Sequence, residues 1–543
     1  MFLTAIITTL LLTASEKSWA FASNNIPLDS PIYLYLEKLA GFGLVSSDFK
    51  GIRPYSKAEA ARLVAEAEGN LNILDGSARS FAKEIIQRLQ ELLPREVSLR
   101  KDPSQTPFFA VNPVDYARSR YVDVNGVPRN YERPLNDSGG AGVFGIGGGL
   151  RPTYPYPNVF KQQGNEGTPL FANNDGIVYR PGSNYDFRFA SEVFFTSYGS
   201  ALIEPVFLYS NDGDSSRFLL NKAYVKLGGG GLELEVGRDE NWLGLGYQNA
   251  ITLTNNARNF DEIKLSSPEP LHAYAGLVKY DLIFSQFDKT YVNGQEYQPY
   301  FIAAKLSLKP MEYVEFGMNY GKMFAGPGVS NTLKAYINGL EGGVGSANTK
   351  NLAGLELRLR LPFLWNTEIY GEFSGEDSAL FWPVVESYVA GIFIPHLTSD
   401  GKNDLRFEYF LGNNILYDGG PFPEGYMYRG MPIGDWQGGA SEEFFVRYTH
   451  WFSLRSNLAL EYFHIERGNT GRLTIDSSGN FDPNGNLQAI ERTDGGRVFL
   501  KIPLFADIDL QPSYGFEYIR NLNLIGGVNQ TNQIITVDLS YKY

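Results

Sequence analysis

From about residue 105 to the C terminus, hydrophobic and polar residues alternate in short recurring runs. Tyr185, Phe187, Phe189, Val193 and Phe195 interleave with Asp186, Arg188 and Glu192. Leu355, Leu357, Leu359 and Leu361 interleave with Glu356, Arg358 and Arg360, and Ile508, Leu510, Tyr514, Phe516 and Tyr518 with Asp507, Asp509, Gln511 and Glu517. A period of two sends successive side chains to opposite faces, so each run predicts a strand lying between two unlike environments. Four glycines at 228–231, and the pairs Asn293-Gly294, Asp400-Gly401 and Asn484-Gly485, supply the intervening turns. Such strands suit either a soluble sandwich or propeller with a wet outer face, or a membrane barrel with lipid outside and water inside.

Residues 29–93 follow a different period. Ser30-Pro31 is an N-cap with proline at the first helical position, and Ile32, Tyr35, Leu36 and Leu39 recur at helical spacing before Gly41. Ser56-Lys57-Ala58-Glu59 is a capping box that opens a second helix, with Ala60, Leu63, Val64 and Ala67 on one face. A third helix is predicted from Ser77 to Leu93, aligning Ala78, Phe81, Ala82, Ile85, Leu89 and Leu92, with Pro94 ending it. The apolar faces are narrow, so this three-helix unit needs something to pack on. Its Arg53, Pro54, Ser56, Lys57, Glu59 and Ala61 weakly resemble the S-layer-homology pattern, which implies contact with a cell-wall polymer such as peptidoglycan.

At the N terminus, Phe2 to Ala14 form an apolar core of signal-peptide length, and Ser18-Trp19-Ala20-Phe21-Ala22 offers a cleavage site after Ala22. No later stretch reaches the length of an apolar transmembrane helix. The chain is therefore expected to be exported as residues 1–22 signal peptide, 23–104 periplasmic helical domain and 105–543 β domain.

Composition narrows the choice. The 37 Phe and 34 Tyr exclude a disordered polymer. The absence of Cys removes disulfides, thiolate metal sites and thiol nucleophiles. Only four histidines remain, His272, His396, His450 and His464, with no metal-ligand spacing, and neither a cofactor nor a metal is expected. A net charge of -13 argues against nucleic-acid binding. A mean hydropathy of only -0.22 in so aromatic a chain means that the rings are interleaved with polar residues.

Three features favour the barrel. The apolar faces are rich in Tyr and Phe, as the girdles of an outer-membrane barrel require. The polar faces carry charges of both signs, as a lumen does. The chain ends with Ile535, Val537, Leu539, Tyr541 and Tyr543 alternating with Thr536, Asp538, Ser540 and Lys542. This resembles the C-terminal signal that bacterial outer-membrane proteins present to the barrel-assembly machinery, with Tyr541 and Tyr543 as the insertion signal. The fold expected is mainly β: a transmembrane antiparallel barrel of about 16 to 18 strands, a monomer in outer-membrane lipid, with a small N-terminal α-helical domain. Polar stretches at 123–142, 161–184 and 412–440 become extracellular or lumen-filling loops.

Three segments resemble the Wzi-type outer-membrane capsule-assembly family: Val236-Gly237-Arg238-Asp239-Glu240-Asn241-Trp242-Leu243-Gly244 with Leu253 to Arg258; Ile369 to Asp377; and Tyr428-Arg429-Gly430-Met431-Pro432-Ile433-Gly434. The resemblance implies a barrel of about eighteen strands above a periplasmic helical bundle. It also implies a lectin that binds and anchors capsular or related exopolysaccharide at the cell surface.

A sugar presents apolar C–H faces and hydroxyl edges, so its site needs aromatic platforms beside bidentate polar groups. One candidate set is Arg238, Asp239, Trp242, Asn255, Asn256 and Arg258, joined by Glu372 and Asp377; another is Tyr428, Arg429, Asp435 and Trp436, with Tyr426 and Gln437 nearby. The same residues also suit girdle anchors and lumen salt bridges. Glu372, Glu376 and Asp377 form no convincing glycosidase pair, since carboxylates facing Arg belong in any lumen. Gly145 to Gly149 lacks the βαβ setting of a phosphate loop. A binding protein rather than an enzyme is expected, the alternative being a diffusion porin for small solutes.

Overall fold

The computed structural model describes residues 21–542 apart from 103, 105, 141–151, 155–156, 214, 293, 328–348, 377–381 and 421. The expected export segment therefore lies almost wholly outside the described residues, as do Asn293, Asp377, Tyr543 and the glycines at 145–149.

Four helices come first: α1 Pro31–Gly41, α2 Lys57–Asn70, α3 Gly76–Leu92 and α4 Pro94–Lys101. The fourth is absent from the sequence reading. Pro94 does end α3, but it also occupies the first turn of α4, where its missing N–H costs nothing. The Ser30 side chain accepts from Ile32 N at 3.4 Å and that of Ser56 from Glu59 N at 3.0 Å. The capping box is only half made: the Glu59 carboxylate turns to Arg62, at 2.9 Å, instead of back to the cap.

Eighteen antiparallel strands then close into a barrel. They are β1 Phe109–Asn125, β2 Gly182–Phe195, β3 Gly199–Ser210, β4 Ser215–Gly229, β5 Leu232–Asp239, β6 Phe260–Ser266, β7 Gly276–Gln286, β8 Tyr300–Met311 and β9 Val314–Phe324. The second half comprises β10 Thr349–Leu361, β11 Thr367–Glu376, β12 Val385–Ile394, β13 Asn403–Gly412, β14 Ser441–Ser453, β15 Ser456–Arg467, β16 Glu491–Pro503, β17 Ile508–Arg520 and β18 Asn529–Tyr541. Each strand pairs with the next. The ring closes where β18 pairs with β1, with Val537 opposite Tyr121. The residues Leu271–Ala273 continue β6 along β7. No edge is left to aggregate or to strand backbone polar groups in lipid.

The two faces are inverted relative to a soluble protein. Tyr185, Phe187, Phe207, Val236, Ile263, Tyr514, Phe516, Ile535 and Leu539 are exposed, whereas Asp186, Arg188, Glu235, Lys264, Lys305, Glu356 and Arg358 are buried. Outward side chains thus meet lipid and inward charges pair across the lumen. Hydrophobic contact with acyl chains takes the place of a core for the outer face.

Connections at one end are short, such as 230–231, 312–313 and 454–455; those at the other are long, such as 126–181, 240–259 and 413–440. In an outer-membrane barrel the short turns are periplasmic. The helices sit at that end. Lys38 Nζ donates to Pro395 O and Gly401 O, both at 2.9 Å, and reaches Asp404 at 2.7 Å. Arg88 bonds Asp507 at 2.7 Å in the β16–β17 turn. Trp451 of β14 packs against Tyr35 and Phe81, joining barrel wall and helices in one apolar cluster. The unit that needed a partner has found it in the barrel floor.

Between α1 and α2 the chain rises into the lumen. The buried Asp48 accepts from Arg358 Nη1 at 2.9 Å, Arg360 Nη2 at 2.9 Å and Lys309 Nζ at 3.2 Å, all three on the barrel wall. Residues Ile52–Arg53 pair with Trp242–Leu243 of the long β5–β6 loop. A segment anchored at the periplasmic end therefore meets, inside the barrel, a loop that enters from the opposite end.

Candidate functional site

Two long loops turn inward. In the β5–β6 loop, Leu243 N donates to Leu253 O and Gly244 N to Gly51 O, at 2.9 and 3.0 Å. The guanidinium of Arg53 lies 4.6 Å from the centre of the Trp242 ring and donates to Gly246 O at 2.6 Å. A single wall carboxylate, Glu408, accepts from Tyr247 N, Gln248 N and Asn249 N at 2.7–2.9 Å, gripping the next turn. The β13–β14 loop lies against this one. Thr254 N donates to Ile433 O at 2.9 Å, Tyr426 OH to Thr252 O at 3.0 Å, and the stacked rings of Tyr417 and Tyr426 are 5.5 Å apart. Together they build an apolar cluster within the lumen, around Leu243, Ile251, Leu253, Tyr417, Tyr426 and Ile433.

At the outer end of this plug, Tyr428 and Met431 pair across a two-residue hairpin whose tip is Arg429-Gly430. Both tip residues have positive φ, 52° and 80°. That conformation suits the twist of a tight hairpin and costs Arg429, with its Cβ, more than Gly430. Asn165 N donates to Gly430 O at 2.8 Å and holds the turn. The Tyr428 ring stands 4.6 Å from that of Phe287 and 5.9 Å from that of Phe260, while its hydroxyl reaches Asp288 at 3.3 Å. Arg429 Nε donates to the same carboxylate at 2.7 Å, and its side chain is about half exposed.

Arg258 lies beside them. Burial, with Arg429 and Arg238 nearby, pulls its pKa down to about 10, although Asp175 opposes the shift. Among the described residues its Nη1 has no hydrogen-bond partner. A guanidinium in this setting is favoured by any incoming acceptor. Asp175 itself accepts from Asn255 Nδ2 at 3.1 Å and Asn221 Nδ2 at 2.9 Å. Burial alone would raise its pKa, but the Lys222 and Arg188 charges outweigh that and hold it below the ordinary range.

The residues singled out from the sequence divide between places. Tyr428, Arg429 and Arg258 gather at the outer end of the plug, while Asn255 lies deeper and lines an interior cavity of about 420 Å³ with Arg53 and Trp242. Asn256 serves structure, its Nδ2 donating to Pro432 O at 3.1 Å. Trp242 is deep and buried under Arg53. Arg238 and Asp239 are adjacent in sequence but face opposite ways: Arg238 lies on the outer wall, 2.9 Å from Asp261, while Asp239 points inward and accepts from Asn25 at 2.7 Å. Period two enforces this separation. Glu372 is a buried wall residue that accepts from Ile251 N at 3.4 Å. Asp435 is fully buried, its pKa pushed well up by desolvation with Glu443, Glu408 and Glu372 nearby. Trp436 lines a separate cavity of about 40 Å³ beside Phe171 and Arg467. Sequence reasoning missed Phe287, Asp288 and Asp175, which stand in loops without a motif, and assigned Arg53 to a polymer-binding turn. Arg53 instead lies against Trp242, and Lys57 pairs with the wall carboxylates Asp115 and Glu192, at 2.7 and 2.8 Å.

An 18-stranded barrel with a lipid-facing outer wall and a lumen occupied by its own loops is an outer-membrane protein. Residues 151–534 match the family model described as "Capsule assembly protein Wzi", and the chain belongs to that family. Among solved structures, Wzi of Escherichia coli, described as an outer-membrane protein involved in group 1 capsule assembly and a carbohydrate-binding β-barrel, superimposes with a TM-score of 0.62 at 15% identity. The match covers 95% of this chain and 98% of that one, and at this identity it shows the fold. OpdQ and OprD of Pseudomonas aeruginosa match with TM-scores of 0.40 and 0.38 at 10% and 9% identity, over 80% and 79% of this chain and 96% and 93% of theirs. Those likenesses are too distant to bear on function. No curated protein matches the sequence. Family and fold give the chain a capsule-related role in the outer membrane.

Proposed function

We propose that this protein is a surface lectin that holds capsular or related exopolysaccharide at the extracellular end of the barrel, with the helical unit as a periplasmic floor. The observation that carries the reading is the plug. A barrel of eighteen strands is wide enough to pass solutes, yet its lumen is crossed by a loop from one end that pairs, through Trp242–Leu243, with a segment anchored at the other. A diffusion porin has no use for this arrangement. The plug also places a half-exposed arginine and a second guanidinium at its outer tip, backed by the buried Tyr428 ring, and such donors suit a sugar's hydroxyl edges.

Arg429 and Arg258 supply donors for hydroxyl or carboxylate oxygens, Asp288 holds Arg429 in place, and the buried Tyr428 ring, packed on Phe287 and Phe260, supports the tip from beneath. The family is named for capsule assembly, and the tip offers groups for binding rather than a nucleophile with its base, which supports a non-catalytic role. In the helical unit, Arg53, Lys57 and Glu59 are engaged in internal contacts, which supports a structural floor over a polymer-binding module.

The test is a deletion strain. Loss of the protein is expected to leave polysaccharide synthesis intact while shedding polymer into the medium; unchanged retention refutes anchoring. Purified protein in planar bilayers is expected to show little conductance, and large steady channels would favour the porin reading instead.

A further inference from the structure

On the outer wall, the strands β15, β16 and β17 carry a graded series of outward side chains. Leu460, Val498 and Tyr514 share one level; Tyr462, Gly496 and Phe516 the next; His464, Asp494 and Tyr518 the next; and Glu466, Arg492 and Arg520 the last, toward the long-loop end. Lipid-facing aliphatics thus give way to aromatic rings and then to charges. At two residues per level and about 3.4 Å per residue, the charged row stands roughly 7 Å beyond the last tyrosine. That is where acyl chains end and headgroups begin.

The charged row sets Glu466 directly opposite Arg492, yet it also brings like charges together. Arg492 and Arg520 are directly opposite one another on neighbouring strands, and on the adjoining strands Glu442 is directly opposite Glu466. Like charges at directly opposed positions repel. Local contacts relieve only part of this. Arg492 Nε bonds Glu466 at 2.6 Å and Arg520 Nη2 bonds Asp494 at 2.6 Å. Asp494 also accepts from Tyr462 OH at 3.1 Å and lies 2.7 Å from His464 Nδ1, while Glu442 accepts from Tyr409 OH at 2.9 Å and Asn469 Nδ2 at 2.5 Å. The two arginine side chains keep 42% and 45% of their surface exposed. A guanidinium has five N–H donors, so two side by side leave a forked set turned to the outside. Phosphate is the anion such a pair fits, because it accepts bidentate bonds from both and cancels their repulsion.

We propose that Arg492 and Arg520 form a clamp for the phosphate of a phosphorylated glycolipid in the outer leaflet. A lipid-borne phosphate is favoured over a free one because the same three strands offer Leu460, Val498 and Phe516 below the clamp, so one molecule satisfies both the charged row and the apolar band. Glu442 and Glu466 lie next to the clamp where a divalent cation shared with a second phosphate neutralises them. The site concerns the wall of the barrel and does not depend on glycan binding at the plug.

The test uses the full-length protein in detergent micelles, titrated with bisphosphorylated lipid A and followed by native mass spectrometry. Wild type is expected to retain the lipid at least tenfold more tightly than lipid A stripped of its phosphates, and the R492Q/R520Q double variant to lose that preference. Folding of the variant is checked by the heat-dependent shift in electrophoretic mobility of an intact barrel. Equal retention by wild type and a folded double variant overturns the proposal. So does equal retention of phosphorylated and dephosphorylated lipid by wild type, a comparison that needs no variant. Displacement of the lipid by an equal concentration of inorganic phosphate would show a site for the free anion and would overturn it as well.

Discussion

Asp48 offers the sharpest test of how the helical unit is held. Its carboxylate is buried in the lumen within 3.2 Å of nitrogens on Arg358, Arg360 and Lys309. Removing one member of a buried, hydrogen-bonded ion network costs about 3–5 kcal/mol, because the partners stay buried and lose their counter-charge. Here the lower end applies, since Arg358 keeps Glu315 at 2.8 Å and Arg360 keeps Glu368 at 3.1 Å. Asp48→Asn is therefore expected to cost about 3 kcal/mol of docking, roughly a hundredfold in the ratio of docked to released segment. Hydrogen exchange across residues 42–56 reads this directly, with the heat-dependent mobility of the barrel as a control that should not change. The pH dependence follows. Burial would raise the Asp48 pKa, but Arg358 and Arg360 outweigh it and hold the group well below the usual carboxylate range; Glu37 is likewise held down, to about 2, by Arg406 and Lys50 against burial. Both contribute docking stability that is complete above the unfolded carboxylate pKa of about 4 and lost as pH falls below it. Wild-type protection factors, taken against intrinsic exchange at each pH, should fall as the pH drops from about 4 toward 2, and those of D48N should fall less. Exchange in D48N indistinguishable from wild type at neutral pH would refute the anchoring role.

Further outcomes are expected at the seam and at the plug tip. Arg53→Ala removes a cation–π contact of about 1–2 kcal/mol and the bond to Gly246 O, so Trp242 should become more accessible to a fluorescence quencher; unchanged quenching would show that the seam does not depend on Arg53. Tyr428→Ala withdraws the buried ring tilted against Phe287 that supports the tip and should weaken glycan binding about fivefold by calorimetry, consistent with about 1 kcal/mol for an aromatic contact beyond its area. Gly430→Ala is a purely conformational probe: an added Cβ meets nothing within 4 Å, yet φ is 80°, so about 1 kcal/mol of strain should loosen the hairpin and reduce glycan affinity without altering barrel stability. Equal affinity in G430A would detach the tip geometry from binding.

The barrel was legible because period two is imposed by a wall between lipid and water: a residue such as Arg358 cannot face acyl chains, so charges mark inner positions, and the alternation blurs where inner residues such as Phe301 and Phe410 pack on the apolar plug. The helices were legible through Ser30, Ser56 and their apolar spacing. The fourth helix was not, since Pro94 stops one helix and starts the next with the same residue. The candidate site was only partly legible. Sequence neighbours were grouped as though they shared a surface, which holds for Tyr428 and Arg429 on a hairpin but fails for Arg238 and Asp239 on a strand. Asp288 meets Tyr428 and Arg429 at the tip and Asp175 meets Asn255 deeper in the lumen, each from a loop far away in sequence, and no local spacing encodes such meetings.

The net charge of -13 acquires a different meaning in the folded chain. Many of its carboxylates are cancelled inside the barrel by bases, Glu356 by Lys305, Glu376 by Lys350, Glu235 and Glu262 by Lys264, and Asp48 and Glu368 by Arg358 and Arg360, so the total says little about any one surface. If the proposed function holds, a polymer at the outer surface meets Arg429 and Arg258 at the tip instead of that total, with Asp288 already occupied by Arg429. On the proposed function, an acidic protein can hold an acidic or a neutral glycan because the charge at the tip, and not the total, sets the field that the polymer meets. Replacing Asp288 by Asn would release Arg429 from its carboxylate. If the local balance governs, glycan binding by D288N should strengthen at low salt and lose that gain at high salt, as screening over about 10 Å requires. An affinity set by overall charge would shift only slightly with this single change, and that result would refute the reasoning.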